Sequence, residues 1–233
     1  MTFYPISVQI LLPLALNFNN QGYSMKNSLI AATLLALSCS SNAALEMRDL
    51  DGDLSNGHEG VYDDVLDITW LANANSAGGQ LNWNAAEDFV TNLNSTSHLG
   101  VTAWRQPTAS NCVGTSCGNA ASDTDDELGY QFFQNFGATA GSNITSGTNS
   151  TNLALFSNVQ NDFYWTGFDN GSSTLAYYFT TASGTQSTFF KSNESYVWAV
   201  TDGMAGTAVP VPAAAWLFAS ALTALLVVMR KHN

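Results

Sequence analysis

The sequence predicts an α+β domain, and three observations carry that reading. Residues 83–93 and 128–136 repeat apolar side chains at helical spacing. After them, residues 163–200 break into short apolar runs separated by turn residues, the pattern of antiparallel strands. Tryptophan, phenylalanine and tyrosine recur throughout, and such residues bury enough area to build a core. Helices first and a meander of strands afterwards is the order of an α+β fold, not of alternating βαβ units.

In chain order, residues 45–50 and 61–70 read as two strands around an acidic, glycine-containing turn. In the second, Leu66, Ile68 and Trp70 alternate with Asp67 and Thr69, the period of a half-buried strand. Asn82 is placed to cap a helix from Trp83 to about Leu93. Trp83, Ala86, Val90 and Leu93 form its apolar face, with Glu87 and Asp88 off it. In Trp104-Arg105-Gln106-Pro107-Thr108 the proline biases Gln106 toward an extended backbone, so the chain leaves a strand and enters a loop. A second helix is expected to start at 122–124. Asp123, Asp125, Asp126 and Glu127 would then occupy its first turn, where the helix dipole favours acids, and Leu128, Phe132, Phe133 and Phe136 would face inward. Residues 138–152, rich in Gly, Ser, Thr and Asn, read as a long loop. Strands are expected at 163–166, 175–180, 187–191 and 196–200, with turns at Asp169-Asn170-Gly171 and Ser192-Asn193.

The two ends of the chain read as export signals. Lys26, an apolar stretch from Leu29 to Leu37 too short to span a bilayer, and Ser41-Asn42-Ala43 form a secretory signal peptide over 25–43, with signal peptidase leaving a mature start near Ala44. Residues 1–24 hold a second apolar run but no basic residue, as expected of a start codon assigned too early, Met25 being the natural initiator. At the other end, Val209-Pro210-Val211-Pro212 precedes an uncharged run at 213–229 and then Arg230-Lys231-His232-Asn233. Seventeen apolar residues are about the minimum for a membrane-spanning helix, and Arg230 and Lys231 would hold its end on the cytoplasmic side. Residues 207–233 thus read as a tail separate from an exported domain at 44–206.

Charge narrows the partners of that domain. Its eighteen acidic residues face three basic ones, Arg48, Arg105 and Lys191, for a net charge of −15. Such a surface repels nucleic acid and anionic lipid, so no nucleic-acid partner is expected. Cys112 and Cys117 enclose four residues, and in an oxidising compartment the default for such a pair is a local disulfide, against a redox pair or a metal site. Nucleophilic catalysis needs a base beside the nucleophile; His58 and His98 both sit in polar, turn-like contexts, so no catalytic set is expected. Asp49, Asp51 and Asp53 alternate as in a calcium loop, but Leu54 and Gly60 replace the glycine and glutamate of an EF-hand. There and at residues 123–127, solvated loop and helix cap are set against calcium; no metal and no cofactor is expected. Trp104 and Arg105 are the candidate ligand-binding pair, against a structural reading in which the tryptophan is buried and the arginine ties loops together through carboxylates.

Two resemblances add to this. The tail, with its proline pair, one span and basic end, resembles the PEP-CTERM sorting signal in its V-P-x-P-A-A-A-W-L-F variant, with Val211 where the name-giving motif has glutamate. That implies transient retention in the inner membrane and cleavage near the prolines by an exosortase, the alternative being a plain permanent anchor. Asp67-Ile68-Thr69-Trp70-Leu71, Trp83 with Ala86, Leu93-Asn94, Trp104-Arg105 with Pro107-Thr108, Tyr164-Trp165-Thr166-Gly167 and Tyr196-Val197-Trp198-Ala199-Val200 together resemble the Lcl C-terminal-domain family of bacterial surface proteins. The resemblance spans roughly residues 61–203. It implies a C-type-lectin-like domain: two helices, a short-stranded antiparallel sheet and a long variable loop. The family's best-known member is linked to adhesion and glycosaminoglycan binding, whereas a charge of −15 repels a sulfated polysaccharide, and Asp202 stands where the family often has arginine. The expected function is a noncatalytic cell-surface or biofilm-matrix protein whose domain binds a glycan or a surface protein. The alternative is a secreted enzyme of the formylglycine-generating type, which would need reactive cysteines.

Overall fold

The structure is a computed structural model and describes residues 45–209. The upstream residues 1–24, the signal peptide at 25–43, the span at 213–229 and the sorting residues Pro210, Val211, Pro212, Arg230 and Lys231 lie outside the described residues; Val209 is the last of them. Among the described residues no helix is long and apolar enough to cross a membrane.

The main sheet begins with β1 (Leu45–Asp49), β2 (Gly60–Asp63) and β3 (Ile68–Leu71), consecutive and antiparallel. The expected single strand over 61–70 is therefore a hairpin. Asp63 makes the turn, its Oδ1 accepting from the Val65 and Leu66 amides at 3.0 Å each, and Asp67 completes it at φ 51°, a left-handed conformation that aspartate tolerates better than most residues. After the two-residue β4 (Leu81–Asn82), Asn82 caps α1 (Trp83–Ser95) by accepting from the Ala85 amide at 3.0 Å. Ala86, Val90 and Leu93 are its buried residues, as the 3.6-residue repeat requires, while Trp83 at the rim is only half-buried. Then β5 (Trp104–Arg105) leads into the loop that Pro107 predicts.

The second helix starts later than its acids indicate. α2 (Glu127–Tyr130) continues as one wide turn over Gln131–Asn135. Its would-be first turn is loop because the acids bond to other loop amides instead: Asp123 accepts from Gly118, and Asp126 from Ser110. The 138–152 loop contains two single-turn helices, Ile144–Ser146 and α3 (Ser150–Leu153). β6 (Phe163–Trp165), β7 (Leu175–Thr180) and β8 (Thr185–Phe190) form a separate three-stranded antiparallel sheet. β9 (Glu194–Ser195) pairs with β4, and β10 (Val200–Asp202) lies between β3 and β5. β11 (Thr207–Ala208) pairs with β1, so the sheet order is β11-β1-β2-β3-β10-β5 and the sheet takes in two residues beyond the expected domain end at 206.

Residues 196–199, expected as a strand, run between β9 and β10 as an extended segment whose bonds go to different partners. The Tyr196 amide donates to Phe163, and the Ala199 carbonyl accepts from Leu71. Its side chains alternate between two cores. Trp198 joins Trp70, Phe132, Phe136 and Tyr164 on one side; Val197 and Ala199 join Trp104, Trp165, Val90 and Leu93 on the other. This period-two alternation puts the segment at the centre of the molecule. Four indoles in these cores or at their rim donate to backbone carbonyls: Trp83 to Thr166, Trp104 to His98, Trp165 to Leu81 and Trp198 to Leu71. The architecture is α+β with antiparallel sheets and few helices.

Candidate functional site

A cleft of about 410 Å³ opens between α1, the exit of β5 and the segment after β6. Trp104 and Arg105 of β5 and Gln106 just after it line one side, and Glu87, Val90, Thr91 and Asn94 the other along α1; Gly167 and Phe168 contribute from beyond β6. A helix side chain fixes β5 against α1. Asn94 Oδ1 accepts from the Trp104 amide at 2.6 Å while its Nδ2 donates to the Trp104 carbonyl at 2.8 Å. One asparagine thus satisfies both backbone groups of a residue that is 2 % exposed.

Arg105 shows why this wall is rigid. Its Nη1 and Nη2 donate to the two oxygens of Glu127 at 2.9 and 2.7 Å, and Nη1 also to the Gln106 carbonyl. Its Nε donates to Asp202 at 2.8 Å, with Nη2 2.7 Å from the same oxygen. Four of the five guanidinium N–H groups therefore donate, and the charge is paired with two carboxylates. Burial works against the charge, but Glu127 and Asp202 outweigh it and hold the group above its ordinary value. Glu127 also accepts from the Thr108 amide at 2.7 Å, tying the post-proline loop to α2. The Gly167 amide donates to the Pro107 carbonyl at 2.9 Å and joins the far wall. Of the candidate pair, then, Trp104 is buried and Arg105 ties loops through carboxylates, while both line the cleft.

Two residues that sequence reasoning did not select as a site meet in the cleft wall. Gln106 is 4 % exposed, and its Nε2 donates to Glu87 Oε1. Its own Oε1 has no partner. Pro107 gave the extended backbone of Gln106, and the helical repeat put Glu87 off the core face. Their meeting depends on how β5 packs on α1, which no local pattern reports.

Cys112 and Cys117 are joined, with Cα atoms 5.8 Å apart. The disulfide loop attaches to β8 through reciprocal backbone bonds between Gly114 and Gln186, whose buried side chain also donates to Ser110 and Cys112. Beyond it, Gly118 (φ 69°) lies back to back with Gly129 of α2, where a Cβ on Gly118 would fall 2.5 Å from Gly129 Cα. The remaining candidates lie elsewhere. His58, for all its polar, turn-like context, is half-buried, its Nε2 2.7 Å from the Leu155 carbonyl. His98 is half-buried and receives the Trp104 indole on its carbonyl. Asp49, Asp51 and Glu59, rather than Asp53, bring carboxylates within 4.8 Å of one another. Asp49 and Glu59 already accept from the Gly52 and Leu50 amides, so they shape the β1–β2 loop. Asp53 instead bonds Ser55.

The fold and the cleft define a small α+β domain with a disulfide-stapled loop beside a polar cleft. The chain belongs to the Lcl C-terminal domain family, whose model matches residues 59–201. No curated protein and no solved structure gives a significant match. Family membership and the disulfide mark an exported or surface protein.

Proposed function

We propose that this is a noncatalytic protein of the cell surface or the exopolysaccharide matrix, whose domain binds a glycan in the cleft between α1 and β5. One observation carries the reading. The cleft is large enough for a small ligand and sets polar Glu87, Thr91 and Gln106 beside apolar Val90, Ala109 and Phe168, the mixture of groups a sugar ring needs. The formylglycine-generating alternative needs a reactive thiolate, and Cys112 and Cys117 are joined to each other. The tail resembles a PEP-CTERM signal, which supports transient retention in the inner membrane and exosortase cleavage before release to the surface.

A glycan array probed with the exported protein, with and without calcium, tests the binding. The reading predicts retention of a subset of glycans and no turnover of them. Retention of none, with recovery of a protein ligand alone, removes the glycan from the proposal. A titratable thiol at Cys112 or Cys117 in exported material would restore the enzyme.

A further inference from the structure

Two of the residues lining the cleft carry charge, Glu87 and Arg105, and they differ in what each has left to bind. Arg105 already has two carboxylates on it, with Glu127 Oε1 and Asp202 Oδ1 each 2.7 Å from Nη2. Glu87 is exposed on α1 and stands in no ion pair among the described residues. Its hydrogen bond there is to a neutral group, the Gln106 amide, and uses Oε1. Glu87, Glu127 and Asp202 against Arg105 leave these four groups with a net charge of −2. The remaining polar lining is neutral and can donate as well as accept. Thr91 is exposed one turn along α1 from Glu87, and Asn94 Nδ2 keeps a second N–H besides the one on the Trp104 carbonyl.

Resting on the glycan reading above, we infer that the cleft binds an amino sugar with a free amine, its ammonium on Glu87 and its hydroxyls on Thr91 and Asn94. A polymer of de-N-acetylated hexosamine is the ligand class. The charge of the whole domain agrees with the local charge: eighteen acidic side chains face three basic ones, and Arg48, Arg105 and Lys191 each stand in an ion pair within the chain. The field of such a domain concentrates cations and speeds their encounter. An exposed ion pair is weak on its own, so selection of the amine depends on the Glu87 contact and this field together. Sulfated and uronic-acid glycans carry the wrong sign, and an N-acetylated sugar leaves Glu87 without a counter-charge. A lysine side chain or an inorganic cation would reach Glu87 but leave Val90, Ala109 and Phe168 unused. A pyranose presents hydroxyls at its edge and C–H groups on its face, and so matches both kinds of lining.

The test uses the exported protein and two variants at exposed α1 positions. Glu87→Gln removes the charge but keeps an acceptor for Gln106, and Thr91→Trp puts a bulky ring into the cleft. The probes are a tetramer of β-1,4-linked glucosamine, its fully N-acetylated counterpart, a heparin tetrasaccharide and trilysine. Binding is read by NMR titration at low and high salt, and melting temperature shows that both variants fold. The glucosamine tetramer is expected to bind roughly tenfold more tightly than the N-acetylated one and to weaken with added salt. Glu87→Gln should weaken it about fivefold, as for losing one exposed ion pair, and Thr91→Trp should abolish it. Equal or tighter binding of the N-acetylated tetramer, blocked by Thr91→Trp, overturns the amine while leaving the glycan reading in place. So does glucosamine binding that Thr91→Trp blocks and Glu87→Gln leaves unchanged, or heparin binding that Thr91→Trp blocks. If Thr91→Trp blocks the binding of no sugar, whether or not trilysine binds, this inference and the glycan reading fall together.

Discussion

Trp165 and Trp83 show how much a single side chain's burial decides. Trp165 is fully buried, packs with Val90, Leu93 and Trp104, and donates to the Leu81 carbonyl at 2.8 Å. Replacing it with alanine is expected to cost about 3–5 kcal/mol on urea unfolding, the range for removing a buried large aromatic. Trp83 shares the helical repeat but lies at the rim, with Lys191 Nζ 4.0 Å from its ring centroid. Trp83→Ala should cost about 1–2 kcal/mol, part lost area and part lost cation–π contact. Equal losses at the two positions would show that Trp83 belongs to the core after all. Asp63 supplies a second residue-scale prediction. It is fully buried, and desolvation raises its pKa above the ordinary aspartate value despite amide donation from Leu66, Asn135 and Val65. A carboxyl whose folded pKa is raised favours the fold fully below its unfolded pKa. It loses that contribution as pH rises through the folded value. Carboxyl-carbon NMR should therefore find Asp63 titrating above the exposed aspartates; titration at or below them contradicts the desolvation account.

At the scale of elements, the disulfide loop tests what local cross-links contribute. Closing so short a loop removes only about 2 kcal/mol of unfolded-chain entropy. The Gly114–Gln186 bonds and the Gly118–Gly129 contact also hold the loop. Replacing both Cys112 and Cys117 with serine should lower stability by about 2 kcal/mol in urea and leave the far-ultraviolet spectrum unchanged; loss of the fold would mean that the bridge, not the packing, positions residues 110–118. The elements also differ in how far the sequence announces them. α1 and β7 were legible, one from its cap and 3.6-residue repeat, the other from a short apolar run bounded by turn residues. The β2–β3 hairpin was not, because its turn uses Asp63 and a positive-φ Asp67 in place of glycine, and the alternation from Leu66 to Trp70 carries through the turn into β3. Residues 196–199 alternate as a strand would, but their hydrogen bonds are divided between Phe163 and Leu71, a division set by tertiary packing. For α2, the run of acids looked like a helix first turn, and competition from the Ser110 and Gly118 amides moved the start to Glu127. Trp104 and Arg105 announced the cleft by composition. Glu87 and Gln106 did not, since neither carries a pattern beyond its own helix face or proline neighbour.

For the whole molecule, the described sheet reaches to the start of the tail. β11 closes the main sheet against β1, and the Val209 amide still donates to the Met47 carbonyl, one residue before Pro210. A cut near the prolines would leave the sheet complete. The sorting proposal predicts that Pro210→Ala with Pro212→Ala, which keeps the apolar run and the basic end, leaves the full-length protein in the inner membrane while the wild type is released. Equal release of the two forms contradicts it, and retention of both in a host with an exosortase favours a permanent anchor. The same scale holds the central claim, that an acidic exported domain binds a glycan in the α1–β5 cleft. Hydrogen–deuterium exchange of the protein with and without a glycan retained on the array tests it most directly. Slowed exchange in residues 87–94, 104–109 and 166–168, with the acidic loop at 50–59 unchanged, is the predicted result. Slowing at 50–59 with none in the cleft would contradict the account and move binding to Asp49, Asp51 and Glu59.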